Sequence, residues 1–271
     1  MNLARKPAVA GSFYPADADT LLRDIQSYTQ PAATKLPCIA CVVPHAGYMY
    51  SGAVAGAVYS HIKLPNRLLL LGPNHTGVGQ PLAIFSSGSW STPLGEARVD
   101  GQLARELMLR FPLLQEDANA HRKEHCLEVQ LPFLQALLQE FSFVPIVIGT
   151  GRVDLLVSLG ERLAEVLQST SASVLILSSS DMNHYEPDSI TRVKDAKAIE
   201  KILALDAVGL HEAVERENIS MCGFAPTVAM IAAARRLGAT RAELVKYATS
   251  ADVSGDRDYC VGYAGIVVTR Q

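Results

Sequence analysis

The stretch CIACVVPHAGYMYSG, Cys38 to Gly52, decides how the chain is read. Cys38 to Val43 is a continuous apolar run with β-branched residues and no polar alternation. That pattern predicts a strand buried on both faces. Pro44 has no N–H to give to a sheet ladder and ends the run. His45 follows at once, and then the small-residue segment SGAVAGAVYSHI (Ser51 to Ile62), which predicts a helix able to lie close on a sheet. Strand, polar turn and helix together make the repeating unit of an α/β protein.

The unit recurs along the sequence. A second buried strand is predicted at Arg67–Gly72, and further strands at Leu82–Phe85, Phe143–Gly149, Ser173–Ser178, Glu243–Ser250 and Tyr259–Val268. Helices are predicted at Asp17–Tyr28, Asp100–Arg110, Leu131–Phe141, Val153–Gln168, Ser189–Leu205, Ala207–Arg216 and Pro226–Leu237. The Leu131 helix starts beside Pro132, a residue suited to a first turn. No linker, internal repeat or low-complexity segment interrupts the series. The expectation is one domain over residues 1–271, α/β, with a central mixed, largely parallel sheet flanked by helices.

Of the 271 residues 49% are hydrophobic and 19% charged, a globular balance. Net charge is -3 and no basic cluster stands out, so a nucleic-acid surface is not expected. No run approaches the ~18 apolar residues of a membrane span. The N-terminus MNLARKPAVAGSFYPAD makes a poor signal peptide. Five cysteines without framework spacing fit a reducing, cytoplasmic setting. Cys38 and Cys41 fall inside the first apolar run and are read as core, as are Cys126 and Cys260. His61, His121 and His211 lie in surface-like contexts and receive no role.

The polar clusters share a position. PHAGY, GPNHTG, SSSDMNHYE and SADVSGDRD each follow a predicted strand. Ligand sites in α/β sheets lie at the carboxyl ends of strands. Parallel strands would therefore bring His45, His75, Asp181 and His184 to one rim. Each has a plainer reading as a hydrogen-bonded loop residue or capped turn. The joint occurrence after successive strands is what favours a site. His125 and Glu128 would share a face of a helix, or else belong to a solvated face with Arg122, Lys123 and Glu124. Cys222 precedes the Pro226 helix, where the helix dipole favours a thiolate. Two imidazoles with one anionic donor make an open metal site suited to catalysis. His45 and His75 supply the nitrogens, and the third donor is Cys222, Glu128 or Asp181. His184 beside Asp181 has the look of a general base with an orienting carboxylate.

PAVAGSFYP, VPHAGYMYSG, LGPNHTG, EHCLEVQLPFLQ, SSSDMNHYE, MCG and VGYAGIVV, in this order from Pro7 to Val268, resemble the Memo family in its prokaryotic form. The resemblance implies a fold like the catalytic subunits of class III extradiol (LigB-like) dioxygenases. It implies His45, His75 and Cys222 as metal ligands, and His184, Asp181, His125 and Glu128 as catalytic residues lining the cleft. Fe(II) is the implied metal, with copper or zinc as alternatives. Its partners would be a small substrate, and a radical-SAM and an AMMECR1-like protein of the same pathway. Phe224 and Ala225 depart from the basic residue and histidine of animal members, and Tyr185 from their tryptophan. The expected function is a non-haem metal redox enzyme. The alternatives are a metal-dependent hydrolase using His125-x-x-Glu128, and a non-catalytic peptide-binding scaffold.

Overall fold

A computed structural model describes residues 4–30, 35–170 and 172–270. Among the described residues twelve strands form one sheet: β1 (Ala4–Arg5), β2 (Ala40–Val43), β3 (Arg67–Pro73), β4 (Leu82–Ile84), β5 (Ser89–Thr92), β6 (Gly95–Val99), β7 (Gln115–Glu116), β8 (Ser142–Ile148), β9 (Leu175–Ser179), β10 (His184–Glu186), β11 (Arg241–Thr249) and β12 (Cys260–Thr269). The order across it is β1-β5-β6-β8-β3-β9-β2-β12-β10. β11 pairs with β12, and β4 bridges β8 and β7. The centre, β6, β8, β3, β9 and β2, is parallel. β12 runs antiparallel to β2, as do β10 and β11 to β12. The sheet is mixed and mostly parallel, as expected, and takes strands from Ala4 to Thr269. A separate two-stranded pair joins Leu36–Pro37 to Ile62–Lys63.

Among the described residues the helices are α1 (Ala18–Tyr28), α2 (Tyr48–His61), α3 (Gly101–Arg110), α4 (Ala118–Arg122), α5 (Leu131–Leu137), α6 (Val153–Ser169), α7 (Asp188–Leu203), α8 (Ala207–Arg216), α9 (Phe224–Arg236) and α10 (Ala251–Ser254). Side chains alternate along each strand. Ala40, Val42, Leu69 and Leu71 therefore pack under α3, α6, α7, α8 and α9. Cys41, Val43, Leu68 and Leu70 pack under α1, α2 and α5. Both faces are buried, which is why these strands are apolar throughout. Among the described residues no helix is long and apolar enough to cross a membrane.

Three expectations change. The first strand is shorter, and Cys38 lies just outside it. The β5–β6 hairpin escapes prediction because Trp90, Ala97 and Val99 point inward between polar neighbours. His121 and His211 are buried, not on the surface. Burial, with Arg5 nearby, pushes His121 down to about 3, so it is an uncharged core residue.

The SADVSGDRD segment also differs from expectation. β11 does end on the rim side, but Arg192 bridges Asp188 and Asp252, and Arg257 joins Asp188. These residues clamp α7 to α10.

Two buried carboxylates organise opposite sides of the molecule. Glu128 accepts from Arg5 Nη1 at 2.7 Å, the Ala8 and Val9 N–H groups and the Tyr14 hydroxyl. Arg5 also donates to the carbonyls of His121 and Glu124 and lies over the Trp90 ring. The N-terminal segment is thereby sewn to the loop before α5. Asp195, on α7, accepts from the Asn183 N–H at 2.8 Å and the Tyr247 hydroxyl at 2.6 Å.

Arg5→Met leaves Glu128 buried without its cation. The expected loss is about 3–5 kcal/mol, read from denaturant unfolding; an unchanged midpoint would refute the role given to this pair. Burial raises the Asp195 carboxyl to about 7. The folded chain then holds a proton there that the unfolded chain has lost. The Asp195 contribution to stability accordingly falls as pH rises from about 4 to about 7. Melting temperatures across that window test this: Asp195→Asn is expected to gain steadily on the parent chain, and a constant difference would exclude it.

Candidate metal centre

β2, β9 and β3 lie side by side and end at one level. Their continuations carry His45, Asp181 and His75. His45 is 1% exposed, while His75 is open to solvent. The His45 and His75 rings meet edge to face with centroids 5.2 Å apart. His125 stacks on His75 at 4.7 Å and meets His45 at 5.5 Å. One nitrogen from each of the three rings lies within 4.8 Å of the other two. The structure thus brings together both predicted nitrogen ligands and adds a third, His125.

Hydrogen bonding orients two of these rings, His45 and His75. Ser179 Oγ spends its proton on the Cys126 carbonyl and accepts from Gln130 Nε2. His45 Nδ1, 3.0 Å from Ser179 Oγ, must therefore donate, and Nε2 keeps a bare lone pair. His75 Nδ1 lies 2.9 Å from Glu124 Oε1, an acceptor only, so Nδ1 carries a proton and the neutral ring offers its lone pair at Nε2. Burial, together with the neighbouring His75, His125 and His184, holds His45 well below the usual imidazole range. It is neutral, the form that binds metal.

Glu124 is the residue that sequence reasoning missed. Set among Arg122 and Lys123 it looked solvated, yet it is 1% exposed. Its carboxylate accepts from the His75 backbone and ring and from the His125 and Cys126 N–H groups. Burial raises such a carboxyl, but the bonds from His75 and Cys126 hold it down at about 2. Ser179 and Gln130 were missed too; a serine run ending a strand was the available signal.

The predicted His125–Glu128 face does not form. His125 precedes a single 3-10 turn, Glu128–Gln130. Its ring reaches the cluster, while both Glu128 oxygens are taken by the N-terminal segment. Glu128 is therefore a positioning residue here, not a group free for catalysis, and the zinc-hydrolase spacing does not converge. Gly72 permits the arrangement: a Cβ there would lie 2.5 Å from Cys126 Sγ.

Cys222 Sγ lies 3.2 Å from His45 Nε2, outside the group formed by the three imidazoles. It also accepts from the Asp181 N–H at 3.3 Å. Against expectation, burial and the Asp181 carboxylate push this thiol well up. It is a neutral S–H facing a bare imidazole nitrogen, despite the start of α9 two residues on. Gly223 lets the loop touch the rim, since a Cβ would sit 2.4 Å from Ser180 Cβ.

Asp181 and His184 do not form the predicted dyad. Asp181 Oδ1 accepts from the His45 N–H at 2.7 Å, fixing that turn. Burial raises the Asp181 carboxyl even so. His184 Nδ1 lies 2.8 Å from the Ser220 carbonyl, which only accepts, so Nε2 is its basic nitrogen. Tyr48, three residues after His45, is in the core, its hydroxyl on the Val129 carbonyl. Tyr185 is on the outside, stacked on Tyr259 at 5.0 Å. Phe224 packs against His211.

Comparison with known proteins gives a consistent picture. Residues 5–267 match the family model described as Memo-like protein. The chain is 42% identical over 282 residues to a MEMO1 family protein of Methanopyrus kandleri, covering 99% of this chain and all of that one. It is 43% identical over 266 residues to one of Aquifex aeolicus, covering 97% of this chain and 98% of that one. The crystal structure of an uncharacterized Escherichia coli K12 protein superposes with a TM-score of 0.53. The match covers 82% of this chain and 98% of that one at 10% identity, so this likeness concerns the fold alone. On the family model and the full-length relatives, the chain belongs to the Memo family.

Proposed function

We propose that this protein is a metal-dependent redox enzyme of class III extradiol dioxygenase ancestry, acting on a small substrate. The centre is held by His45, His75 and Cys222, with His125 as a further nitrogen donor. The observation that carries this reading is the pair of bare Nε2 lone pairs on His45 and His75, each fixed from behind through Nδ1. A carboxylate or hydroxyl behind a ligating imidazole is the usual outer support of a metal site. Imidazole and sulfur donors together favour iron, copper or zinc over magnesium or calcium. Fe(II) is the first choice, from the redox kinship implied by the family resemblance.

A bound ion of this kind supplies an electron-accepting, redox-active position for an oxygen-donor substrate. The chain's own residues do the rest. Asp181 holds the His45 turn rigid. His184 Nε2 is free to take a proton from a substrate hydroxyl. Exposed His75 marks the side from which substrate enters. Because the Cys222 thiol is protonated without an ion, ligation there releases a proton.

Element analysis of anaerobically prepared protein, with cobalt as an optical probe, tests this reading. Stoichiometric iron or copper is expected, lost in His45→Ala and His75→Ala. Cobalt-loaded protein is expected to show a sulfur-to-metal absorption absent from Cys222→Ser. Glu124→Gln, which weakens the grip on His75, is expected to lower affinity by roughly 10–100-fold. The reading fails if neither iron nor copper binds and Cys222→Ala changes nothing.

A further inference from the structure

The geometry points to Asn183 as the positioning residue that fixes the proton-bearing edge of His184 and the approach of Cys222 through one shared tether, Ser220. This inference rests on the role given to His184 above.

Asn183 is fully buried and every polar atom it has is used. Its backbone N–H donates to Asp195 and its carbonyl accepts from Gly262. Side-chain Oδ1 accepts from the Ser220 N–H at 3.0 Å and the Ser220 hydroxyl at 3.1 Å. Nδ2 donates to Glu186 Oε2 at 2.7 Å and faces Thr191 Oγ1 at 3.4 Å. The amide cannot be reversed, because that would set its oxygen against the Glu186 carboxylate.

Ser220 passes this constraint to both functional segments. Its hydroxyl accepts from the His184 N–H at 2.7 Å, and its carbonyl takes the His184 Nδ1 proton at 2.8 Å. Two residues further along stands Cys222, with its sulfur against His45. Tyr185, next to His184, holds a left-handed backbone at φ 63°, unfavourable for a bulky side chain. The ladder between β10 and β12 shifts register between His184 and Glu186. The chain therefore departs from regular pairing where His184 is presented. Bonds from Asn183 to Glu186 and Ser220 close that irregularity on both sides.

The tautomer of His184 gives a readout that simple loss of stability would not mimic. Long-range proton–nitrogen NMR on the full chain, without metal and at alkaline pH, reads it directly. In the parent protein Nδ1 is expected to carry the proton. Asn183→Leu and Asn183→Asp are expected to lose that preference, while His75, held by Glu124, keeps its own. Asn183→Asp combined with Glu186→Gln restores a donor facing the aspartate and is expected to recover the Nδ1–H form. Should Asn183→Leu not fold, Ser220→Ala decides, since removing one hydroxyl is expected to shift His184 in the same direction. An Nε2–H form in the parent protein overturns the proposal, as do unchanged His184 signals in the folded variants. Failure to bind metal with the tautomer as described would instead sink only the functional reading.

Discussion

Three neighbouring parallel strands, β2, β9 and β3, must all stop at the same level. Their apolar residues are buried between two helical layers, so pairing is compulsory along their length. Beyond the last apolar residue the backbone needs new partners, and polar side chains provide them. Asp181 takes the His45 N–H, Glu124 takes the His75 N–H, and Ser180 takes the Gly223 N–H. The groups that finish the strands are therefore also the groups that aim the imidazoles. Structural satisfaction and site construction are one set of hydrogen bonds.

The two glutamates of EHCLE divide the labour. They stand four residues apart, and both are buried. Glu124 faces the rim and holds His75. Glu128 faces away and holds Arg5, Ala8, Val9 and Tyr14. The loop between them carries His125 and Cys126, pinned at both ends by buried charge. A buried carboxylate is tolerable only when its oxygens are fully occupied. Full occupation of Glu124 and Glu128 is what makes the short loop between them rigid without a regular helix.

Much of this was legible in the sequence because the central strands are apolar on both faces. Runs such as RLLLLG and FVPIVIG have one reading, and the residues following β2, β3 and β9 had to gather. The β5–β6 hairpin was not legible, because only Trp90, Ala97 and Val99 there are apolar and the rest of the two strands is polar or glycine. Within the site, His45 and His75 stood out as imidazoles at strand ends. Glu124 did not, because nothing in a run of charges says which one is buried. The thiol of Cys222 was misjudged for a related reason. Its place ahead of α9 can be seen in sequence, but the neighbouring Asp181 comes from a distant segment. Long-range neighbours, not local pattern, decide protonation.

The contact between His45 and Cys222 joins positions 177 residues apart, in a chain whose five cysteines are all free thiols. No covalent cross-link holds the carboxyl ends of the central strands to the loop before α9. An ion gripping both residues would act as such a cross-link, closing a very long loop. Long loops are where closure removes the most freedom from the unfolded chain. The centre would then be a removable clasp on the molecule's topology, and occupancy would count as much for the chain's persistence as for its chemistry.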